Sequence, residues 1–180
     1  NIYFELAEKL NKTIDIPYSF KLSSNFTNLV GFVERLNAMD VPGVVLFNRF
    51  YEPDIDIDKF RFTSAEVFSS PSDIRHSLRW VGIISSKVQR MEIAASTGVH
   101  DGKAAIKQLL AGAEAVQICS TIYKNGFAQI KNILEEMKDW MQEQQFDTIE
   151  EFRGRLSYNK LDNPMIYERS QFMRYFSSIQ

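Results

Sequence analysis

Apolar residues recur at helical spacing at Ile2, Leu6, Leu10 and Ile14, so residues 2–13 are predicted to form a helix that Asp15-Ile16-Pro17 stops. Tyr18 to Ser23 predicts a short strand. Thr27 is placed to cap a second helix, whose stripe is Leu29, Val30, Phe32, Val33 and Leu36. Val44-Val45-Leu46-Phe47 is an unbroken apolar run, the pattern of a strand buried on both faces. Between residues 49 and 70 the helical period disappears. Tyr51-Glu52-Pro53 reads as a turn, Asp54 to Asp58 alternates with period two, and Lys59 to Phe68 alternates more loosely, which predicts a hairpin or excursion.

The pattern then resumes. Ser70 or Ser72 is placed to cap a helix carrying Ile74, Leu78, Val81 and Ile84. Met91 to Ala95 predicts another strand, with Ser96-Thr97-Gly98-Val99 as its turn. Lys103 to Leu110 predicts a helix closed by Gly112, since glycine tolerates the positive φ of a helix end. Ala115 to Ile118 predicts a further strand. A long helix follows, with Phe127, Ile130, Ile133, Leu134, Met137 and Met141 on one face, and two polar-faced helices are expected near 148–156 and 165–176.

Short apolar strands thus alternate with helices four times over brief links, the pattern of parallel strands joined by helical crossovers. A closed barrel of this kind needs eight such units. The expected fold is therefore α/β, the C-terminal half of a TIM (β/α)8 barrel, with residues 1–180 as a single domain and its strands buried on both sides. Two bare sheet edges would be covered by the other half, from the same parent chain or from a partner. Asn1 leads straight into a helix without an initiator methionine, which gives the expectation of an internal piece of a longer chain.

Composition narrows the function. With 44% hydrophobic and 24% charged residues, the chain is globular rather than disordered. Its 21 Lys and Arg against 23 Asp and Glu leave a net charge of −2, which argues against a dedicated nucleic-acid binder. No apolar run approaches the roughly 18 residues of a membrane span, and the N-terminus is too polar for a signal peptide. The one cysteine, Cys119, excludes an intramolecular disulfide and a cysteine-based zinc cluster. A cytoplasmic location is expected from the lack of contrary signals.

Ligands of parallel α/β folds gather beyond the C-terminal strand ends. The residues expected there are Lys21, Asn48, Ser96-Thr97-Gly98 and Cys119-Ser120-Thr121. The last two are small-residue turns from consecutive strands, each leading into a helix. Such turns let backbone N–H groups approach a phosphate, with a helix dipole behind them; equally, small residues can simply end a strand. Lys21 alternates with Phe20 and Leu22, so its ammonium points into the barrel if those two face helices; otherwise it is an edge lysine that blunts aggregation. Asn48 suits a carbonyl or amide ligand, or an ordinary turn. Asp54, Asp56 and Asp58 do not begin a calcium loop, because Lys59 and Ala65 stand where glycine and a bidentate acid are needed. His76 and His100 lack partners at metal spacing, although His100 lies in the phosphate-type turn. Cys119 is expected to be small and buried rather than nucleophilic.

These motifs carry a resemblance. Ser96 to Ala105, followed by Leu110-Ala111-Gly112-Ala113 and Val116-Gln117, resembles the last phosphate-binding repeat of dihydroorotate dehydrogenases. Phe20 to Ser23 is similar to that family's V-K-L-S/P strand, and Val45 to Asn48 to its V-N strand. Leu46 to Asp56 and the tail from Trp140 to Arg169 resemble a dihydroorotate dehydrogenase-like branch. The resemblance implies an FMN site, with Thr97, Gly98, Cys119 and Ser120 around the phosphate, Lys21 at the pyrimidine end of the flavin and Phe47 along the ring. Asn48 and Arg49 would contact the substrate, and Ser69 or Ser70 falls near a glycine contact of the family.

The sequence also departs from the family. Its paired glycine is Thr97-Gly98 here, its Gly-Thr turn is Cys119-Ser120, and Arg49 replaces a small polar substrate contact. The family's catalytic base, a Cys or Ser, and several substrate asparagines belong to the N-terminal half. No catalytic residue is therefore expected in this chain, and Cys119 does not match the catalytic cysteine. The leading expectation is an FMN-dependent oxidoreductase acting on a CH–CH bond of a dihydropyrimidine such as dihydroorotate. A phosphate-binding half-barrel without redox chemistry and a structural unit that dimerises to complete a barrel are the alternatives.

Overall fold

The computed structural model describes residues 1–50 and 52–168. The first amphipathic segment forms α1 (Ile2–Thr13), capped by the Asn1 side chain, which accepts the Tyr3 N–H. Strand β1 (Ser19–Leu22) follows, then α2 (Leu29–Ala38). The cap of α2 is Asn28, not Thr27: the Asn28 amide oxygen accepts the Gly31 N–H at 2.9 Å. Strand β2 (Gly43–Leu46) is buried at every position, as its apolar run requires. The irregular stretch is a two-stranded antiparallel hairpin, β3 (Pro53–Asp56) and β4 (Arg61–Ser64).

After a 3-10 turn at Pro71–Asp73, α3 (Ile74–Ile84), β5 (Glu92–Ser96), α4 (Gly102–Ala111) and β6 (Ala115–Gln117) complete the repeating pattern. Ser70 flanks that 3-10 turn, and its N–H donates to the Asp73 carboxylate at 2.8 Å. The sheet runs β1-β2-β5-β6 and every pairing is parallel. Four parallel strands with helices between them are one half of a (β/α)8 barrel.

The strands are not all buried on both sides. In β1 only Phe20 and Leu22 are buried, and β6 has no buried residue, because these two form the edges of the sheet. Register places Phe20, Val44 and Ile93 in one row, and Leu22, Leu46 and Ala95 in another. These residues pack with Val33 and Leu36 of α2, Val81 and Ile84 of α3, and Phe4 and Ala7 of α1. Each fully buried aliphatic side chain there contributes about 1.5–3 kcal/mol. The core therefore lies between the sheet and its helices, on the convex side.

The C-terminal third differs most from expectation. The single long helix breaks at Gly126 into α5 (Ser120–Asn125) and α6 (Ala128–Glu143). Of the apolar stripe on α6, Ile133 is buried, whereas Phe127, Ile130 and Leu134 are exposed. Periodicity marks an apolar face; a cover for that face is a separate matter. Residues 148–156 form turns rather than a helix. Phe152 is wholly buried there, edge-on to Trp140 and tilted against Phe146. α7 (Met165–Glu168) starts where the last helix is expected, and the remainder of that prediction lies outside the described residues.

Candidate functional site

Register also defines the concave face. Lys21 aligns with Val45, Ala94 and Ala115, and Ser96 with Gln117, so these residues face away from the helix-covered core. The Lys21 ammonium donates to the Gln117 side-chain oxygen at 3.1 Å. β1 and β6 are opposite edges of the sheet, so this contact requires strong curl, as in a barrel wall. Phe20 and Leu22 do face helices, which puts the Lys21 ammonium on the inner side.

Beyond the C-terminal strand ends lies a cavity of about 350 Å³. Lys21, Asn48, Arg49, Thr97, Gly98, Cys119 and Ser120 all line it. Phe47 does not. It is 4% exposed and lines an adjoining depression of about 430 Å³, its ring 5.2 Å from that of His76. Asn48 and Arg49 border both spaces. Asn48 continues the β2 ladder, its N–H donating to the Leu22 carbonyl at 2.7 Å, which fixes it at the rim. Arg49 is tied on two sides, donating to the Val67 carbonyl at 2.7 Å and lying 3.9 Å from the Asp73 carboxylate. A larger groove of about 630 Å³ lies on the outer, helical side among Leu78, Leu110 and Leu156 and contains none of these residues.

The turn after β5 is shaped by two consecutive residues of positive φ, Thr97 at +81° and Gly98 at +79°. The Thr97 hydroxyl donates to the Phe47 carbonyl at 3.3 Å, holding the turn to the end of β2. A Cβ on Gly98 would come within 2.1 Å of the Ile74 nitrogen, so only glycine fits against the start of α3. Among the described residues, the amides of Thr97, Gly98, Cys119 and Ser120 have no hydrogen-bond acceptor. In the first turn of α4, by contrast, two donors are already taken: Asp101 accepts from Ala104 and Glu136 from Gly102, both at 2.7 Å. The free donors that line the cavity thus belong to the strand-end turns. Cys119 is exposed, contrary to expectation, because it follows β6, an edge strand of the sheet among the described residues.

A polar cluster stands behind the cavity. Ser69, which also lines it, donates its N–H to the Ser120 hydroxyl at 2.9 Å. The Ser69 hydroxyl lies 3.1 Å from His100 Nε2, and its carbonyl accepts from Lys124 at 3.1 Å. Burial, then the Lys124 charge, push the His100 pKa down; Asp101, a hydrogen bond to the Ser69 backbone and Asp73 act the other way. His76 is also pushed down, by burial and by Arg79. This cluster escapes sequence reasoning because Ser69 lies 31 to 55 residues from the partners it gathers. One signal was present: Ser120 and Lys124, four apart, share a face of α5.

A curled parallel half-barrel whose strand ends open on one cavity defines the (β/α)8 class of α/β barrels. Residues 1–141 match the dihydroorotate dehydrogenase family model, and the chain belongs to that family. It is 25% identical over 156 residues to the catalytic subunit of dihydroorotate dehydrogenase B (NAD(+)) of Methanocaldococcus jannaschii, covering 86% of this chain and 51% of that protein. The corresponding subunit of Thermoplasma volcanium is 26% identical over 153 residues, 83% of this chain and 50% of that one. A shorter stretch of 57 residues, 32% of this chain, is 40% identical to the chloroplastic dihydropyrimidine dehydrogenase (NADP(+)) of Arabidopsis thaliana, 13% of whose length it covers. The chain spans about half the length of the two subunits. Among the described residues no helix is long and apolar enough to cross a membrane, and no cluster of His, Cys, Asp and Glu is arranged to hold a metal.

Proposed function

We propose that this chain is the phosphate-anchoring half of an FMN-dependent, dihydroorotate dehydrogenase-type oxidoreductase. The observation that carries the reading is the meeting of Thr97-Gly98 and Cys119-Ser120 at one cavity with unpaired amides. That donor set suits a phosphate monoester: amides for its oxygens, the Ser120 hydroxyl as a further donor, and the cation of Lys124 behind Ser69. FMN, when bound, supplies hydride acceptance on its ring.

The remaining roles fall to side chains of this chain. Lys21 places a positive charge on the inner face, where it offsets negative charge developing on an electron-rich ring. Phe47, held against His76, forms the apolar wall behind the rim. Asn48 orients a carbonyl or amide of a dihydropyrimidine-like substrate such as dihydroorotate. Arg49, anchored at the hairpin base, turns its remaining N–H groups to a substrate carboxylate. The proton acceptor comes from the half of the barrel that faces this sheet, where the family's substrate asparagines also belong. The chain alone is therefore inactive.

FMN titration followed by flavin absorbance near about 450 nm tests the anchoring role. Binding of FMN much tighter than riboflavin, lost in a Gly98 variant, is expected. Binding of simple phosphate esters with no affinity for FMN would leave a half-barrel without redox function, and the proposal would fall.

A further inference from the structure

Ser69 is 5% exposed, lines the anion cavity, and joins three segments of the chain. The Ser120 oxygen accepts the Ser69 N–H, so the hydrogen of the Ser120 hydroxyl stays available to a ligand. The hydrogen of the Ser69 hydroxyl is available only under a condition. When His100 carries its hydrogen on Nδ1 alone, Nε2 accepts a hydrogen bond from the Ser69 hydroxyl 3.1 Å away, leaving only oxygen lone pairs for the cavity. When Nε2 carries a hydrogen, it donates to the Ser69 oxygen, and the hydroxyl proton is freed. A phosphate dianion repels the first arrangement and accepts a hydrogen bond from the second.

We propose that His100 positions the Ser69 hydroxyl as a phosphate donor, and that seating a phosphate monoester in this cavity draws one proton onto His100. The inference rests on the phosphate reading of the cavity. The charged groups around the imidazole are Lys124 from α5, its neighbour Asp101, and Asp73 from the turn before α3. From α6, Gln129 donates to the His100 carbonyl, and the Glu136 carboxylate is bound to the Gly102 N–H. Burial and Lys124 favour neutral His100 in the free protein. A dianion beside Ser69 adds negative charge and favours the imidazolium. Affinity for the phosphate is therefore greatest at lower pH and falls as pH rises through the bound-state titration of His100. Ordinary carboxylates and lysine ammonium groups do not titrate between about pH 7 and 8, and a phosphate monoester, with a second pKa of about 6, stays mostly dianionic there.

Isothermal titration calorimetry at about pH 7.5, with FMN in two buffers of different ionisation enthalpy, counts the proton, and inorganic phosphate serves as a second probe of binding alone. Uptake approaching one proton per ligand is expected, with Kd rising up to about tenfold per pH unit. In His100→Gln the side-chain amide donates permanently to the Ser69 oxygen, so binding persists with no proton uptake and a flat pH profile. His100→Ala binds about tenfold more weakly, Ser69→Ala also loses the proton linkage, and riboflavin, without a phosphate, shows none in any variant. FMN binding in the native protein with no buffer dependence, or equal proton uptake in His100→Gln, overturns this inference and leaves the phosphate reading standing. Failure of FMN and inorganic phosphate to bind at all overturns both.

Discussion

The two faces of the sheet are built from the same four strands and do opposite things. On the convex face Leu22, Leu46 and Ala95 are fully buried beneath α2 and α3, with no polar group among them. On the concave face the register-matched neighbours are small or polar apart from Val45: Ser19, Lys21, Gly43, Ala94, Ser96, Ala115 and Gln117. A strand alternates its side chains, so each short run feeds both faces at once. Stability is concentrated on one side and chemistry is displayed on the other, and substitutions on the two sides should have separable consequences.

The largest effect on that contrast is expected from the convex side. Leu46→Ala removes a wholly buried side chain and should cost about 3–4 kcal/mol in urea unfolding. A loss below about 1 kcal/mol would break the division between the faces. Gly98→Ala tests the boundary between them. The added Cβ meets the Ile74 nitrogen and the φ is +79°, so a loss of about 2 kcal/mol or more is expected, together with at least tenfold weaker FMN binding. Lys21→Ala sharpens the comparison from the concave side. Melting should show a change within about 0.5 kcal/mol, while stopped-flow flavin reduction in the complete enzyme slows by roughly 10–100-fold. Equal rates in variant and parent would remove Lys21 from the mechanism. The smallest effect concerns Cys119: its exposed thiol should react with a disulfide reagent without denaturant, and saturating FMN should slow that labelling.

The parallel strands were legible because each is a short apolar run between turn residues, and the rim residues because they sit at the ends of those runs. From the sequence Lys21 could be placed only opposite Phe20 and Leu22; the packing of those two against helices is what puts it on the inner face. The stretch at 148–156 was not legible. Its helical spacing is real, but Glu151 accepts the N–H groups of Asp147 and Thr148 at 2.6 and 3.0 Å, and Phe152 turns inward to Trp140, so local turns displace the helix. The exposure of Phe127 and Leu134 was equally hidden, since periodicity does not reveal what packs on a face. The Ser69–His100–Lys124 cluster required the fold itself, which brings the segment after the hairpin against two strand-end turns.

The contact between Lys21 and Gln117 has one more consequence. An ammonium has three hydrogens and the glutamine oxygen takes one, so two stay uncommitted. A long, mobile side chain is thereby parked at the mouth before any guest arrives, and the ordering entropy of up to about 2 kcal/mol that a free lysine forfeits on docking is largely settled in advance.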